Sequence, residues 1–463
     1  MIFPAPFAAK ARKALQNVFR AFYFSNLIDA DFGRMYNQSA VFRHRPFNDS
    51  LNGKGWLTIR NTFSGEPNYT AKYAVVQGLY WPIICCSFSF GTVFFLSKHY
   101  TNSQIGVVLA VGSILSVLVQ PAAASFADSS ARISMKQLLM LLTAAGGLLA
   151  ALRFFFTDFP IAPAIFFILE QGAVYALQPL VNSLGVRVMN RGAEINFGLS
   201  RGVGSIVYAG VSIALGLLLK SAKSDVLPLF SLVFYIALGI AVMKFPVDRG
   251  AKPQREAAFL EGTEPKRKTA EAGPSARKRN GRFLLLLVAV VFAFCSQSMI
   301  GSFLIQIIER VGGTAENVGI TNGLAAAIEL PAMAFFGVLI KRFRSGTLLK
   351  VSFVIFILKA AATALSSSVA LIYVTQIFQF GAYALFIPSS VYYANEVIPE
   401  SSLAKGQAAL TSAATLGGVA ANLLGGWLLD FAGVGTMLGV SVFVSSLGCV
   451  LGLCAVEKTE KKF

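Results

Sequence analysis

Residues 195–219 read INFGLSRGVGSIVYAGVSIALGLLL, an apolar run in which Arg201 is the only charged residue. The run is long enough to cross the roughly 30 Å hydrocarbon core of a bilayer as one α-helix, which takes about 20 residues. A charge near the middle of such a helix costs roughly 2.5–3.5 kcal/mol on insertion scales. The run therefore predicts a membrane-spanning helix, and it raises the question of what the arginine does there.

The same pattern recurs along the whole chain, which is too apolar for a soluble protein. Hydrophobic residues make up 55% of the 463 residues and charged residues 13%, and the mean hydropathy is +0.64. So few charges could not cover this much apolar surface in water. We predict an all-α polytopic membrane protein with twelve transmembrane helices in two six-helix pseudo-symmetric bundles. The predicted spans are 74–97, 104–127, 136–156, 161–187, 195–219, 226–245, 283–308, 316–340, 347–367, 369–395, 404–431 and 434–455.

The basic residues predict how these spans are oriented. Most of the 40 Lys and Arg residues lie in residues 1–72, in residues 244–282 and at the helix ends on the same side of the membrane. Because basic residues are retained in the cytoplasm, we expect both termini to be cytoplasmic in a multi-pass protein of the cell membrane. The net charge of +18 then reflects loops beside anionic lipid and no nucleic-acid surface, since the charges are scattered.

Five segments follow from this arrangement. They are a cytoplasmic extension (1–72), a six-helix bundle (73–245), a cytoplasmic linker (246–282), a second six-helix bundle (283–455) and a cytoplasmic tail (456–463). The extension is either a basic amphipathic or targeting helix or a disordered leader without function. The charged linker contains Pro and Gly and little apolar material, as disordered linkers do. Two halves of six spans predict repeats that rock around a site near the bilayer midplane.

Polar residues inside three of the spans outline a cavity. The residues of the fourth span recur on one helical face, and the tenth and first spans carry similar groups. Helix–helix hydrogen bonds could account for some of these amides, whereas a water-filled cavity accounts for all of them. Such a lining suits a neutral polyhydroxylated solute better than a lipid or an ion. The residues are Gln171, Tyr175, Gln178 and Asn182, then Gln376, Gln379 and Tyr383, then Gln77, Tyr80 and Trp81.

Arg201 and Tyr208 lie about two helical turns apart and share one face. The guanidinium can donate two parallel hydrogen bonds to vicinal hydroxyls, and an aromatic ring can stack on the apolar face of a sugar. Alternatively, Arg201 extends to the cytoplasmic headgroups. Glu329 and Lys359, each about halfway along its span, predict a mutual ion pair, because a lone charge there would be costly. That pair is either part of the site or a structural bridge between helices.

Several short stretches, taken in order, resemble the lactose permease (oligosaccharide:proton symporter) branch of the major facilitator superfamily. They are QPAAASFAD at 120–128, NFGLSRGVGSIVY at 196–208, AIELPAMAFFG at 327–337 and VIFILKAAA at 354–362. The resemblance implies a major facilitator fold and sugar-binding roles for Arg201, Tyr208, Glu329 and Lys359. It also implies a cytoplasmic gate formed by Gln120, Asp128, Arg132, Lys341 and Arg342, for which topology charges are the alternative explanation.

The chain differs from that branch at the positions of the proton-carrying residues and of one sugar-binding acid. The permease's membrane histidine and proton-carrying glutamate fall on Gln379 and Ala382, and its span-4 sugar-binding acid falls on Ser183. Lactose itself is therefore not expected. The only histidines, His44 and His99, lie outside the spans, so a proton symporter of this sequence must load a carboxylate.

Two carboxylates inside the spans are candidates for that proton. Glu170 has no basic residue on its own helix before Arg187. A low dielectric disfavours the charged form, so we expect Glu170 to take up the proton. Glu329 beside Lys359 is expected to stay ionised and to accept hydrogen bonds from the substrate.

A secondary active transporter of a sugar, oligosaccharide or nucleoside, coupled to protons and acting by alternating access, is the function that these features favour. An exporter of sugars or amphipathic drugs on the same fold is the alternative. A membrane-embedded transferase is more remote, because no catalytic cluster appears, and no nucleotide-binding loop, cofactor motif or metal-ligand spacing is apparent. The expected partners are a small-molecule substrate, protons and the lipid bilayer, and the expected state is a monomer.

Overall fold

The computed structural model describes residues 69–129, 133–189, 195–246, 274–398 and 403–457. Every regular element within those ranges is helical. Most of the predicted extension and most of the predicted linker lie outside the described residues. Where the linker is described again, at Pro274, the chain is already helical.

Long helices follow one another through the described part of the chain. They are α1 (Tyr69–Ser97), α2 (Asn102–Ser129), α3 (Met135–Phe155), α4 (Ala162–Met189), α5 (Phe197–Leu219), α6 (Val226–Lys244), α7 (Pro274–Ser302), α8 (Ala315–Arg342), α9 (Ser345–Leu365), α10 (Val369–Val397) and α11 (Leu403–Ala455). A short helix, Leu304–Arg310, follows α7 directly.

The lengths of these helices agree with the predicted spans. In the described residues, ten helices are long and apolar enough to cross a bilayer, and α8, a pair of segments bent by 49°, makes an eleventh. The 53 residues of α11 would extend about 80 Å, more than twice the hydrocarbon thickness. At Gly433, φ is 77° and ψ is 176°, a conformation that glycine alone adopts readily. The count reaches twelve when α11 is divided at this glycine, between the last two predicted spans.

The helices pack as two halves that meet along two seams. In the first half, α2 packs on α4, α1 on α5, and α3 on α4 and α6; in the second, α7 and α9 pack on α11, and α9 on α10. The seams are α5 with α8 and α2 with α11. A Cβ added to Gly319 would lie 2.4 Å from the Ser212 carbonyl oxygen and 2.8 Å from Gly216 Cα. The backbones therefore approach this closely only because both positions are glycine.

Polar contacts between the halves cluster at one end of the molecule. Asp430 of α11 accepts hydrogen bonds from the backbone N–H of Asn102 (3.0 Å) and of Ser103 (2.7 Å) and from Asn102 Nδ2 (2.8 Å). On the other seam, Lys220 Nζ lies 3.1 Å from Glu316 Oε2. This is the end that carries the α1–α2 and α5–α6 loops, which the basic residues predict to be extracellular. The halves are closed there.

Loops of the first half are tied together at the same end by Lys98. Its ammonium lies 3.0 Å from Asp158 Oδ1 and 2.7 Å from Asp225 Oδ1. Burial lowers the pKa of Lys98, but the hydrogen bonds and charges of Asp225 and Asp158 outweigh it, and the pKa is raised overall. One side chain thus joins the loops that follow α1, α3 and α5.

Candidate functional site

Two helices that carry predicted site residues lose regular α-helical geometry along their length. α1 passes through a π-helical turn at Cys85–Ser89, and α10 passes through a 3₁₀ turn at Gln376–Gln379. π-Turns inside α-helices are frequent at functional sites. Transporter sites are commonly formed by interrupted spans, because the backbone and side chains there can face a cavity.

In the first half, the candidate site is built on Arg201 and Trp81. The Arg201 guanidinium carbon lies 3.9 Å from the centroid of the Trp81 ring, and Nη1 donates to Ser205 Oγ at 2.9 Å. Trp81 Nε1 in turn donates to Gln77 Oε1 at 3.1 Å. A cation stacked on a desolvated indole gains about 2 kcal/mol. The contact holds Arg201 against α1 inside the protein, which favours the binding interpretation over an extension to the headgroups.

Asn182 and Tyr208 lie next to these residues. Gln77 Nε2 donates to Tyr73 Oη at 2.8 Å and approaches Asn182 Oδ1 at 3.4 Å, which brings α4 to the group. The hydroxyl of Tyr208 lies 2.6 Å from Ser89 Oγ in the π-helical turn. Arg201 and Tyr208 share one helical face as predicted, and each contacts a residue of α1.

In the second half, Gln379 joins Lys359 to Glu329. Lys359 Nζ donates to Gln379 Oε1 and, at 3.2 Å, to Gln297 Oε1, while Gln379 Nε2 donates to Glu329 Oε1 at 2.7 Å. The predicted direct ion pair between Glu329 and Lys359 is therefore wrong. An amide offers an acceptor and a donor at once, so Gln379 serves the cation with its oxygen and the anion with its nitrogen.

The two groups lie in opposite halves, on helices that pack on each other: Arg201 is on α5 and Glu329 is on α8. Leu330 Cδ2 lies 3.9 Å from the position of a Cβ at Gly202, so the stretches that carry Arg201 and Glu329 are neighbours. The Tyr383 ring packs on Phe294, with centroids 6.1 Å apart. The site thus brings together two cations, one carboxylate, amides and aromatic rings, most of them from residues predicted from the sequence. Gln297, which accepts from Lys359, is a member that the sequence analysis did not single out.

Two predicted glutamines make their contacts outside these groups. Gln171 packs against Gly112 of α2, and its Nε2 lies 3.4 Å from Ser113 Oγ. Gln376 donates to the Ile372 carbonyl oxygen at 3.1 Å, within its own helix. Neither glutamine contacts the groups around Arg201 and Gln379 through these bonds. Gln178 is half-buried on α4.

Glu170 has a basic partner that the sequence did not reveal. Arg153 Nη1 of α3 lies 3.2 Å from Glu170 Oε2, and the two side chains are 2% and 0% exposed. The expectation that Glu170 lacks a cationic partner is therefore wrong, because the partner lies on a neighbouring helix and not on α4 itself. No local pattern indicates which face of α3 meets α4.

The predicted gate is described only in part. Gln120 is half-buried, and Lys341 and Arg342 are exposed at the end of α8. The side chains of Asp128 and Arg132 lie outside the described residues. The gate therefore stays a prediction.

Known proteins resemble this chain over most of its length. The model of the MFS_1 like family matches residues 71–438. A maltose permease of Geobacillus stearothermophilus is 26% identical over 387 residues, which cover 81% of this chain and 92% of the permease. A crystal structure of the nucleoside transporter NupG superposes with a TM-score of 0.65 at 16% identity, covering 84% of this chain and 98% of that one. An auto-inhibited POT family peptide transporter gives 0.61 at 10% identity, covering 83% and 96%. The chain therefore belongs to the MFS_1 like family and is a membrane transporter of the major facilitator superfamily.

Proposed function

We propose that this transporter carries a neutral polyhydroxylated solute, a sugar, oligosaccharide or nucleoside, by alternating access. The observation that carries the proposal is the placement of two polar groups on packed helices of opposite halves: Arg201, stacked on Trp81, is on α5, and Glu329, bonded through Gln379 to Lys359, is on α8. In the described residues, the guanidinium makes one hydrogen bond, to Ser205, so its other donors are free for solute hydroxyls.

The chemistry of the lining agrees with this class of solute. Glu329 and Gln379 offer acceptors and a donor to hydroxyl groups, and the rings of Trp81, Tyr208 and Tyr383 offer surfaces for the apolar face of a sugar or for a nucleobase. The relatives with solutes in their names include a maltose permease and a nucleoside transporter. Both names fall within the proposed class.

The proposal places the coupling proton on Glu329. The charge of Glu170 is balanced by Arg153 at 3.2 Å, whereas Glu329 reaches Lys359 only through Gln379. A carboxylate without a direct cationic partner in a low dielectric takes up a proton more readily than a paired one. Protonation would also change the hydrogen bond to Gln379, and with it the acceptors available to the solute. The proton that the sequence analysis assigned to Glu170 is thereby assigned to Glu329.

Uptake of radiolabelled maltose and uridine into proteoliposomes, with and without a pH gradient, tests the solute class and its coupling. We expect one of the two to accumulate when the gradient is applied. Transport of a peptide or an organic anion, with no transport of maltose or uridine, would contradict the proposed class of solute.

Glu329→Gln tests the site of the proton. It should abolish accumulation while equilibrium exchange of the solute continues, because exchange needs no net proton movement. Glu309→Gln, an exposed carboxylate beyond the end of α7, is the matched control and should accumulate solute like the wild type. Uphill uptake by Glu329→Gln would remove this residue from the coupling step.

A further inference from the structure

Two serines of the π-helical turn in α1 bond to two separate places. Ser87 Oγ donates to Glu170 Oε1 at 2.5 Å and accepts from Arg153 Nη2 at 3.2 Å. Ser89 Oγ lies 2.6 Å from the hydroxyl of Tyr208. Residues two apart on a helix project about 200° from one another, so the turn lies between the buried ion pair and the candidate site.

The ion pair is enclosed on all sides by the first half. Ser231 Oγ of α6 donates to Glu170 Oε1 at 3.0 Å. The Arg153 guanidinium carbon lies 5.5 Å and 5.4 Å from the ring centroids of Phe94 and Phe167. A buried pair of this kind contributes little net stability, since desolvation offsets the attraction, and apolar residues often serve as well. Its value is a fixed geometry rather than added stability.

A row of aromatic rings makes a second connection from the pair to the cavity side of α4. Phe88, between the two serines, has its centroid 5.2 Å from that of Phe167, the ring beside Arg153, and 5.7 Å from that of Tyr175. Tyr175 is on the helical face of α4 that also carries Asn182. Rings packed at such distances transmit a displacement from one to the next, because close-packed interiors have low compressibility.

We propose that the Arg153–Glu170 pair positions Tyr208 for solute binding through the π-helical turn, with Ser87 and Ser89 as its two attachment points. A solute that stacks on Tyr208 needs the ring held at one angle, and the hydroxyl of that ring is bonded to Ser89. The pair fixes Ser87, the turn fixes the spacing to Ser89, and Ser89 fixes the ring. This inference rests on the proposed function, since Tyr208 must contact the solute.

A double-mutant cycle on solute affinity tests the positioning role. The probe is maltose or uridine, whichever the wild type exchanges, and the measurement is the concentration dependence of equilibrium exchange in proteoliposomes. Ser89→Ala and Tyr208→Phe should each weaken affinity about fivefold, the effect of one hydrogen bond. The double variant should be no weaker than either single one, because both remove the same bond.

The far end of the connection is tested in the same way. Ser87→Ala should weaken affinity by about threefold, roughly the lower range of a hydrogen bond, and should add nothing in the Ser89→Ala background. The proposal would be overturned if the affinity loss of the double variant equalled the product of the two single losses. Wild-type affinity in Ser87→Ala would overturn it as well. Ser446→Ala is the matched control, since this membrane hydroxyl bonds to the Val442 carbonyl of its own helix at 2.8 Å; its affinity should equal that of the wild type.

Folding defects are separated from positioning by removing both charges together. Glu170→Gln alone leaves Arg153 unpaired and can unfold the protein, whereas Arg153→Met combined with Glu170→Met removes both charges of the pair. That double variant should keep the thermal midpoint near that of the wild type and still lose about threefold in affinity, as Ser87→Ala does. A folded variant with unchanged affinity would overturn the inference.

Failure of this inference can be distinguished from failure of the proposed function. If the wild type binds neither maltose nor uridine, the proposed function fails, and the coupling is then measured by thermal unfolding in detergent. Ser87→Ala and Ser89→Ala should show a non-additive loss of stability. Additive losses would show that the turn does not connect the two serines.

Discussion

Replacing Asp430 with alanine should open the closed end of the transporter. Asp430 caps the N-terminus of α2 from the opposite half, through three hydrogen bonds of 2.7–3.0 Å to Asn102 and Ser103. A capping side chain contributes about 1 kcal/mol within one helix. The carboxylate is exposed, so we take that value without a further charge contribution. Because the cap exists only while the halves are closed, its loss shifts the open-to-closed ratio about fivefold toward the open state.

An ion pair between the halves at this end serves as the control. Lys220 and Glu316 form an ion pair of 3.1 Å on the α5–α8 seam, and Lys220 is 71% exposed. Exposed ion pairs contribute little, since water and salt screen them. Lys220→Ala should therefore change the ratio less than about twofold.

Pulsed EPR distances measure that ratio directly. Spin labels at Phe159 and Leu365, exposed at the closed end of each half by 56% and 82%, report a short distance in the closed state and a longer one in the open state. Asp430→Ala should increase the ratio of the long-distance to the short-distance population about fivefold. An unchanged distribution, or an equal shift in Lys220→Ala, would refute the capping argument.

Three further predictions concern the site and the topology. Arg201→Lys should lose about tenfold or more in solute affinity, because an ammonium can neither stack flat on Trp81 nor donate two parallel bonds; wild-type affinity in Arg201→Ala would mean that the arginine only reaches the headgroups. Gln379→Leu should lower the free energy of unfolding by about 2 kcal/mol, since it removes the donor to Glu329 and leaves Lys359 with Gln297 alone; an unchanged denaturation midpoint would contradict the bridge. A cysteine at exposed Lys223 should react with an impermeant maleimide on intact cells and one at exposed Arg344 should not; the opposite pattern would invert the topology.

The sequence predicted the class of protein and the order of its helices well. An apolar run of about 20 residues is a local property, so the spans could be located without knowing their neighbours. Arg201, Tyr208, Glu329 and Lys359 were singled out for the same reason, since a charge or ring in such a run is visible by itself. Gly433 is a further example, because the backbone break there falls between the last two predicted spans.

Only the tertiary structure decided which of these residues meet. Arg153 reaches Glu170 from another helix, and Gln379 stands between Lys359 and Glu329 where the sequence predicted direct contact. In water, the apolar stripe of a helix shows which face is buried. In lipid, a helix can be apolar on every side, so its composition does not show which face meets a neighbour. Helix contacts then depend on the packing energy of many side chains from several helices. No single stretch of the sequence determines that energy.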